Sequence, residues 1–382
     1  MRRVPASYLV PVPRRPQIAS RYANLHVCLS PSTPGEPEGQ PHCLNSTLSI
    51  DISTSWTTKD VVIPTIHKPG PAKSNVVLWT DGAAGVFYSW GGRFPHGRNV
   101  TKTSSPELWK ASEEGAWVST PEAGFLIGGM NHGLMSSGYP GSATPVVGML
   151  ELDFKTTTVT NGTGGFSPFG DGSLIYGFAA YVPTFGANGL VMLFGGYATE
   201  PSGIADFSRS YGKPYDLETL TFFDPVSKKT YSQKATGTIP TTSRGDFCTA
   251  GFPTPDGGFD IFLSGGSGNN VNWNAHDAYI LSLPGFFWTR VSDGSGTQMR
   301  RGRSCVRVGS RQVLVIGGYN GNATHPDPAP NGLPLFGMST LTWKDAYDAD
   351  AGEYDRAQSI SDWYSSGELE KVQWSAVAPR AL

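Results

Sequence analysis

The sequence has 382 residues, enough for two ordinary domains or for one large closed β architecture. Charged residues make up only 16% of it and the formal net charge is −2, which argues against a general nucleic-acid or membrane-surface role. Its 48 Gly and 30 Pro coexist with 10 Trp, 15 Tyr and 19 Phe, so the turn-forming richness reads as many short strands rather than disorder.

Along the chain, residues 1–46 are rich in Pro, Ser and Arg, as in Pro11-Val12-Pro13 and Pro31-Ser32-Thr33-Pro34. Proline fixes φ and removes a donor, so this segment is expected to be mostly irregular. It has no apolar run long enough for a secretory signal, and its lack of acids before Glu36 has a transit-peptide character. A disordered leader or an incorrect start are the alternatives. No stretch of about 18 apolar residues exists, so no membrane span is expected.

From Thr47 the pattern becomes periodic. Thr47 to Ser53 alternates polar and apolar residues, as a half-buried strand does, and Trp56 to Ile63 is expected to be its partner. The same hairpin, with an aromatic opening its second strand, is read at Glu107-Leu108-Trp109 with Trp117-Val118. It is read again at Leu220 to Asp224 with Tyr231, at Ala278 to Ser282 with Trp288 to Val291, and at Leu335 to Met338 with Trp343. One further copy, Gly148 to Asp153, leads to Thr158-Val159 in place of the aromatic.

A second unit interleaves with these hairpins: a short apolar run closed by Gly-Gly. It occurs at Val86–Gly92, Gly124–Gly129, Val191–Gly196, Phe259–Gly266 and Val313–Gly318. A further short strand is read before three of them, at Gly172 to Val182, Asp246 to Phe252 and Ser304 to Val308. Four antiparallel strands per repeat give a sheet with two apolar faces. Packing several such sheets around an axis buries the faces, which is the β-propeller solution. Glycine reaches positive φ where the chain must turn sharply. Six hairpins against five Gly-Gly strands predict six blades, the first incomplete or irregular. After residue 347 an acidic, aromatic tail (348–382) is expected to pack on the ring, with a short helix at Ser359 to Tyr364.

The apolar strand, the Gly-Gly pair and the spaced Tyr and Trp resemble the kelch repeat across about residues 47–347. The long loops, the N-glycosylation sequons at Asn45, Asn99, Asn161 and Asn322 and the acidic aromatic tail resemble fungal kelch-repeat proteins of the cell surface or secreted type. That resemblance implies a kelch-type all-β propeller and a secreted or cell-surface location, with a cytoplasmic location as the alternative. Members of that group commonly carry an N-terminal signal and a first-blade Gly-Gly strand, and neither is seen here. Kelch-fold relatives include copper radical oxidases and iron-dependent specifier proteins, but neither the copper ligands nor the Glu-x-x-x-Asp-x-x-x-His iron pattern can be placed in this sequence.

The chemistry of the sequence is sparse. It has no Gly-x-Ser-x-Gly elbow, no His-Glu-x-x-His, no Walker loop and no Cys-x-x-Cys. The seven histidines show no metal-like pairing, and no cofactor is expected. Arg244 and Arg303 precede strands on successive repeats, so both are expected in one region, where a bidentate fork would hold a carboxylate or phosphate. The competing reading has them paired with Asp246 or other acids, locking blades together. His132, after Gly128-Gly129, and Trp273 and His276, after Gly265-Gly266, lie in polar and aromatic insertions that read as ligand loops or as ordinary turns.

The four cysteines allow three pairings. Cys248 and Cys305, on successive repeats, suit a blade-bridging disulfide or two buried thiols, and Cys28 and Cys43 flank a Pro-rich loop that they would close. Sequons at Asn45, Asn99, Asn161 and Asn322 lean towards the secretory route. Two functions follow. One is a non-catalytic propeller that binds a protein, glycan or small molecule with the loops around its central channel. The other is a metal-independent accessory enzyme of cyclase or isomerase type in fungal secondary metabolism, with Arg244, Asp246, Arg303 and His132 as acid, base or anion holders.

Overall fold

The computed structural model describes residues 10–13, 22–29, 42–67, 74–93, 114–131, 144–162, 173–199, 213–240, 244–268, 275–294, 301–318 and 329–375. The fold is all-β and of the β-propeller kind, and among the described residues four blades are complete four-stranded antiparallel sheets. By contacts the chain forms two compact units. One comprises residues 1–51, 62–176 and 198–213; the other comprises residues 52–61, 177–197 and 214–382.

The strands begin with β1 (Val10–Pro13), β2 (Tyr22–Leu29), β3 (His42–Asp51), β4 (Trp56–Thr57), β5 (Thr65–His67), β6 (Ser74–Asp81) and β7 (Val86–Arg93). Next come β8 (Ala116–Ser119), β9 (Ala123–Ile127), β10 (Met130–Asn131), β11 (Thr144–Pro145), β12 (Met149–Asp153) and β13 (Thr158–Gly162). They are followed by β14 (Ser173–Ile175), β15 (Phe178–Val182), β16 (Leu190–Phe194), β17 (Tyr197–Thr199), β18 (Lys213–Pro214), β19 (Thr219–Phe223) and β20 (Thr230–Lys234). The last are β21 (Thr236–Gly237), β22 (Cys248–Pro253), β23 (Phe259–Ser264), β24 (Ala278–Leu283), β25 (Phe287–Ser292), β26 (Ser304–Val308), β27 (Gln312–Ile316), β28 (Leu335–Gly337), β29 (Thr342–Lys344) and β30 (Ala346–Tyr347). One α-helix, α1 (Gln358–Ser365), follows them.

In the first unit β8, β9, β12 and β13 form a complete blade, while β2-β3-β5 and β1-β7-β6 are three-stranded. Its core holds Trp79, Trp90, Leu126, Leu152 and Val159, and the Trp79 indole N–H donates to the Phe125 carbonyl at 3.0 Å. Gly124 is required there, because a Cβ at that position would lie 2.3 Å from the Trp79 ring. In the second unit the blades are β15-β16-β19-β20, β22 to β25 (with β21 added in parallel to β25) and β26 to β29. The Gly-Gly strands β16, β23 and β27 are buried at every residue, which fits their continuous apolar runs.

The five Gly-Gly pairs all take positive φ at both residues. In the second unit the Gly196 N–H donates to the Arg244 carbonyl at 2.8 Å, so the pair reaches from one blade to the segment opening the next. A Cβ on Gly195 would strike the Phe247 ring at 2.3 Å. The aromatic of the fourth strand packs towards the preceding blade. The Trp288 indole donates to Leu217 O at 2.8 Å, and Trp343 meets Phe262 edge to face at 6.4 Å.

Several expectations are corrected. The segment 1–46, read as mostly irregular, carries the strands β1, β2 and the start of β3. Pro11 and Pro13 are accommodated because β1 is an edge strand, pairing with β7 on one side only. Trp56 to Ile63 is not the partner of β3. Only Trp56–Thr57 is strand, and it pairs with Ala346–Tyr347, while β3 pairs with β2 and β5. Trp117-Val118 belongs to a first strand, not a fourth: β8 pairs with the Gly-Gly strand β9. The reason is local, since the Thr120 hydroxyl and backbone close a tight turn with Ala123. Glu107 to Trp109 lies outside the described residues. The tail does carry a helix, slightly longer than the sequence indicated.

Candidate functional site

The ligand-binding candidates that are described, Arg244, Asp246, His276 and Arg303, lie at one end of the β22–β25 blade, where Gly265-Gly266 closes β23. Arg244 lies just before β22 and is fully buried. Its Nη1 and Nη2 donate to Oδ1 and Oδ2 of Asp277 at 2.8 and 3.2 Å, and Nη1 also donates to the Gly265 carbonyl at 3.3 Å. Asp277 stands immediately before β24 and also accepts from the Tyr279 hydroxyl at 2.8 Å. The Tyr279 ring lies 5.4 Å from the Arg244 guanidinium carbon. One guanidinium thus joins the segments opening the first and third strands to the end of the second. Burial by itself raises the Asp277 carboxyl, but the Arg244 and Tyr279 hydrogen bonds and the Arg244 charge hold it below the usual carboxylate range. Burial and the neighbouring Asp277 carboxylate push the Tyr279 phenol up.

Arg303 comes to the same strand end from the next blade. Its Nη1 donates to the Ser264 hydroxyl at 3.3 Å, one residue from the Gly265 carbonyl held by Arg244. Beside it Cys248 of β22 and Cys305 of β26 form a disulfide, with Cα atoms 5.2 Å apart. The Gly302 N–H donates to the Asp246 carbonyl at 2.9 Å. Asp246 is half-buried with φ +54°, a left-handed conformation that Asp tolerates better than most residues. Asp246 is not the acid that fills the Arg244 fork; Asp277 is. The anion-holding geometry expected of Arg244 is therefore satisfied from within the blade.

His276 is half-buried, and its main chain and ring lie where a Cβ on Gly294 would project. His132, Trp273, Asn99 and Asn322 lie outside the described residues. Asn161 sits half-buried on the last strand of its blade, β13, opposite Leu150. Asn45 lies within β3, and Cys28 and Cys43 are direct register partners across β2 and β3. The ends of the 269–274 insertion are tightly held. Gly245 and Ser267 exchange backbone hydrogen bonds at 3.0 and 2.8 Å, and the Ala275 N–H donates to Gly266 O at 2.8 Å.

The opposite end of the same blade carries a polar cluster that sequence reasoning missed. Asp260 is fully buried in β23. It accepts from the Ser282 hydroxyl at 2.5 Å, from the Tyr354 hydroxyl at 2.7 Å and from Arg356 Nε at 3.2–3.3 Å. Arg356 also pairs with Asp256, donates to Leu283 O at 3.0 Å and lies 4.2 Å from the Tyr364 ring centroid. Burial holds the Asp260 carboxyl above the usual range against the pull of Arg356, Ser282 and Tyr354. The Tyr354 phenol is pushed up by burial and by the Asp260 charge. The signal was present: an aspartate inside the run Phe259-Asp260-Ile261-Phe262 needs a partner, because a buried lone charge is prohibitive.

Among the described residues, no three side chains of metal-ligating type come together. No helix among them is long and apolar enough to cross a membrane. No protein family model matches the chain. The chain is similar to a kelch repeat-containing protein of Arthroderma benhamiae, 25% identical over 390 aligned residues that cover 84% of this chain. It spans about half, 55%, of that relative's length.

Proposed function

We propose that this chain is a non-catalytic kelch-type propeller that binds a partner protein through the loops at the Gly-Gly ends of its blades. The carrying observation is the Arg244–Asp277 fork. It joins three strand ends, and backbone hydrogen bonds pin both feet of the 269–274 insertion beside it. A rigid base at the ends of a segment whose sequence is polar and aromatic (Asn269, Asn270, Trp273, Asn274) suits recognition, because little order is lost there on binding. The enzyme alternative assigned Arg244 to a substrate anion, whereas its fork is taken by Asp277.

The six-blade count belongs to the same proposal. On this reading the three-stranded sheets β2-β3-β5 and β1-β7-β6 are the two blades beyond the four complete ones. The Cys248–Cys305 disulfide, the register of Cys28 with Cys43 and the half-exposed Asn161 sequon favour passage through an oxidising, secretory compartment.

The test is affinity capture from the native host with wild-type protein and Trp273→Ala. A partner retained by the wild type and lost from the variant, at unchanged melting temperature, is expected. A deletion strain that lacks one metabolite, restored by wild type but not by Arg303→Ala, overturns the reading in favour of the enzyme.

A further inference from the structure

The segment from residue 348 to 375 touches three successive blades of the second unit. Two buried glutamines hold its main chain. Gln312, opening β27, donates through Nε2 to Asp348 O at 2.7 Å and accepts from Asp348 N–H at 3.1 Å. Gln233, on the edge strand β20, donates to Gln373 O at 2.9 Å and accepts from Ser375 N–H at 2.9 Å. Each side-chain amide imitates a strand neighbour, offering a donor and an acceptor to an extended backbone. The Asp260–Arg356–Tyr354 cluster lies between these two catches, on the middle blade.

The two halves of the segment are unlike. From Tyr354 to Tyr364 it buries Tyr354 and Ile360, stacks Trp363 on Phe287 at 4.6 Å, and places the Tyr364 hydroxyl against Gly285 N–H at 3.1 Å. Ser366 ends α1 and Gly367 turns the chain with φ +78°. Among the described residues beyond that, 367–375, none is buried. The 3-10 turn Glu368–Lys371 is held by an exposed local ion pair, and Trp374 meets Phe286 edge to face while remaining 44% exposed. What holds residues 372–375 is the Gln233 amide and the bond from the Ser375 hydroxyl to Ser232 O.

We infer that this segment is a strap with two catches that release in order: residues 367–375 swing off Gln233 as a separate step, while residues 348–366 stay locked to Gln312 and Asp260 until the second unit unfolds. Exposed local contacts open at low free energy, and buried polar networks open only with the body they belong to. Release of the outer catch uncovers the free side of β20, so the device gates access to an edge strand.

The test is native-state hydrogen exchange read by mass spectrometry on the full chain. In the wild type, amides of residues 367–375 are expected to exchange at least tenfold faster than those of Ile360 and Ser361, which donate to Ala357 O. Gln233→Ala should speed exchange of 367–375 at least tenfold again and leave 354–366 unchanged. Ser375→Pro, which removes both the N–H that donates to Gln233 and the hydroxyl that donates to Ser232 O while leaving the Gln233 side chain in place, should do the same and guards against a folding defect in the first variant. Uniform protection across 348–375 in the wild type overturns the proposal. So does joint loosening of both halves in the Ser375→Pro variant.

Discussion

The β22–β25 blade carries an Arg–Asp pair at each end, and the two solve different problems. At the Gly-Gly end Arg244 and Asp277 come from segments 33 residues apart within one blade, and they tie together the feet of loops. At the turn end Arg356 reaches Asp260 across 96 residues and ties the tail to the blade. The Asp277 side chain keeps 13% exposure and accepts from two partners, whereas Asp260 is wholly dry and accepts from three. A partly solvated pair fixes geometry at modest cost, while a dry one makes the whole body depend on it. The end proposed to bind therefore has the softer lock, and the end that holds the tail has the harder one.

That contrast can be broken most sharply at Asp260. Asp260→Ala leaves the Arg356 charge with fewer partners in a largely dry site and should cost about 3–5 kcal/mol in urea unfolding. A loss below 1 kcal/mol would remove the distinction between the ends. Next in size is the bond between blades at the Gly-Gly end. Cys305→Ser opens the cross-link to Cys248, whose partners are 57 residues apart, and should cost about 2–4 kcal/mol with loop binding retained. Arg244→Ala should cost less, about 2–3 kcal/mol, because Asp277 keeps Tyr279 and some solvent. It should also abolish partner capture if the fork holds the loop base.

Acid titration separates the pairs by sign. Asp277 has a folded pKa below its unfolded value of about 3.9. Its contribution is fully present above that unfolded value and is lost as pH falls through the folded one. Asp260 is shifted upwards, so its contribution falls as pH rises from about 3.9 towards the folded value. Stability measured from pH 5 to pH 2 should therefore lose part of its acid slope in Asp277→Asn and keep it in Asp260→Asn. The smallest effect belongs to Trp273→Ala, which should remove binding while changing stability by about 0.5 kcal/mol or less, a shift in melting temperature within about 1 °C.

The repeat was legible because glycine and aromatics have narrow structural uses. Five Gly-Gly pairs at positive φ and Trp288 or Trp343 facing a preceding blade are local requirements visible in a one-dimensional pattern. What was not legible depends on distant partners. Nothing near Trp56 announces that it will pair with Tyr347, and β1 is a strand only because β7 offers it an edge. Arg244 stood out in the sequence, but its acid did not, because Asp246 is nearer along the chain and Asp277 is nearer in space. Asp260 was hidden for the opposite reason: it lies inside a run that reads as pure core. Trp117 misled because an aromatic before a turn fits a first strand as well as a fourth, and only the Thr120–Ala123 turn decides between them.

The pairing of Trp56–Thr57 with Ala346–Tyr347 also sets a clock. The Tyr347 hydroxyl donates to Ile52 O across 295 residues, so the two halves of this seam leave the ribosome far apart in time. At roughly 5–20 residues per second, residues 52–57 wait on the order of 15–60 s for their partner to be synthesised. During that interval a strand with an open edge and an unmatched tryptophan is offered to whatever is near it. The seam thus makes the nascent chain dependent on protection during synthesis, and the arrival of Ala346 and Tyr347 is what ends that exposure.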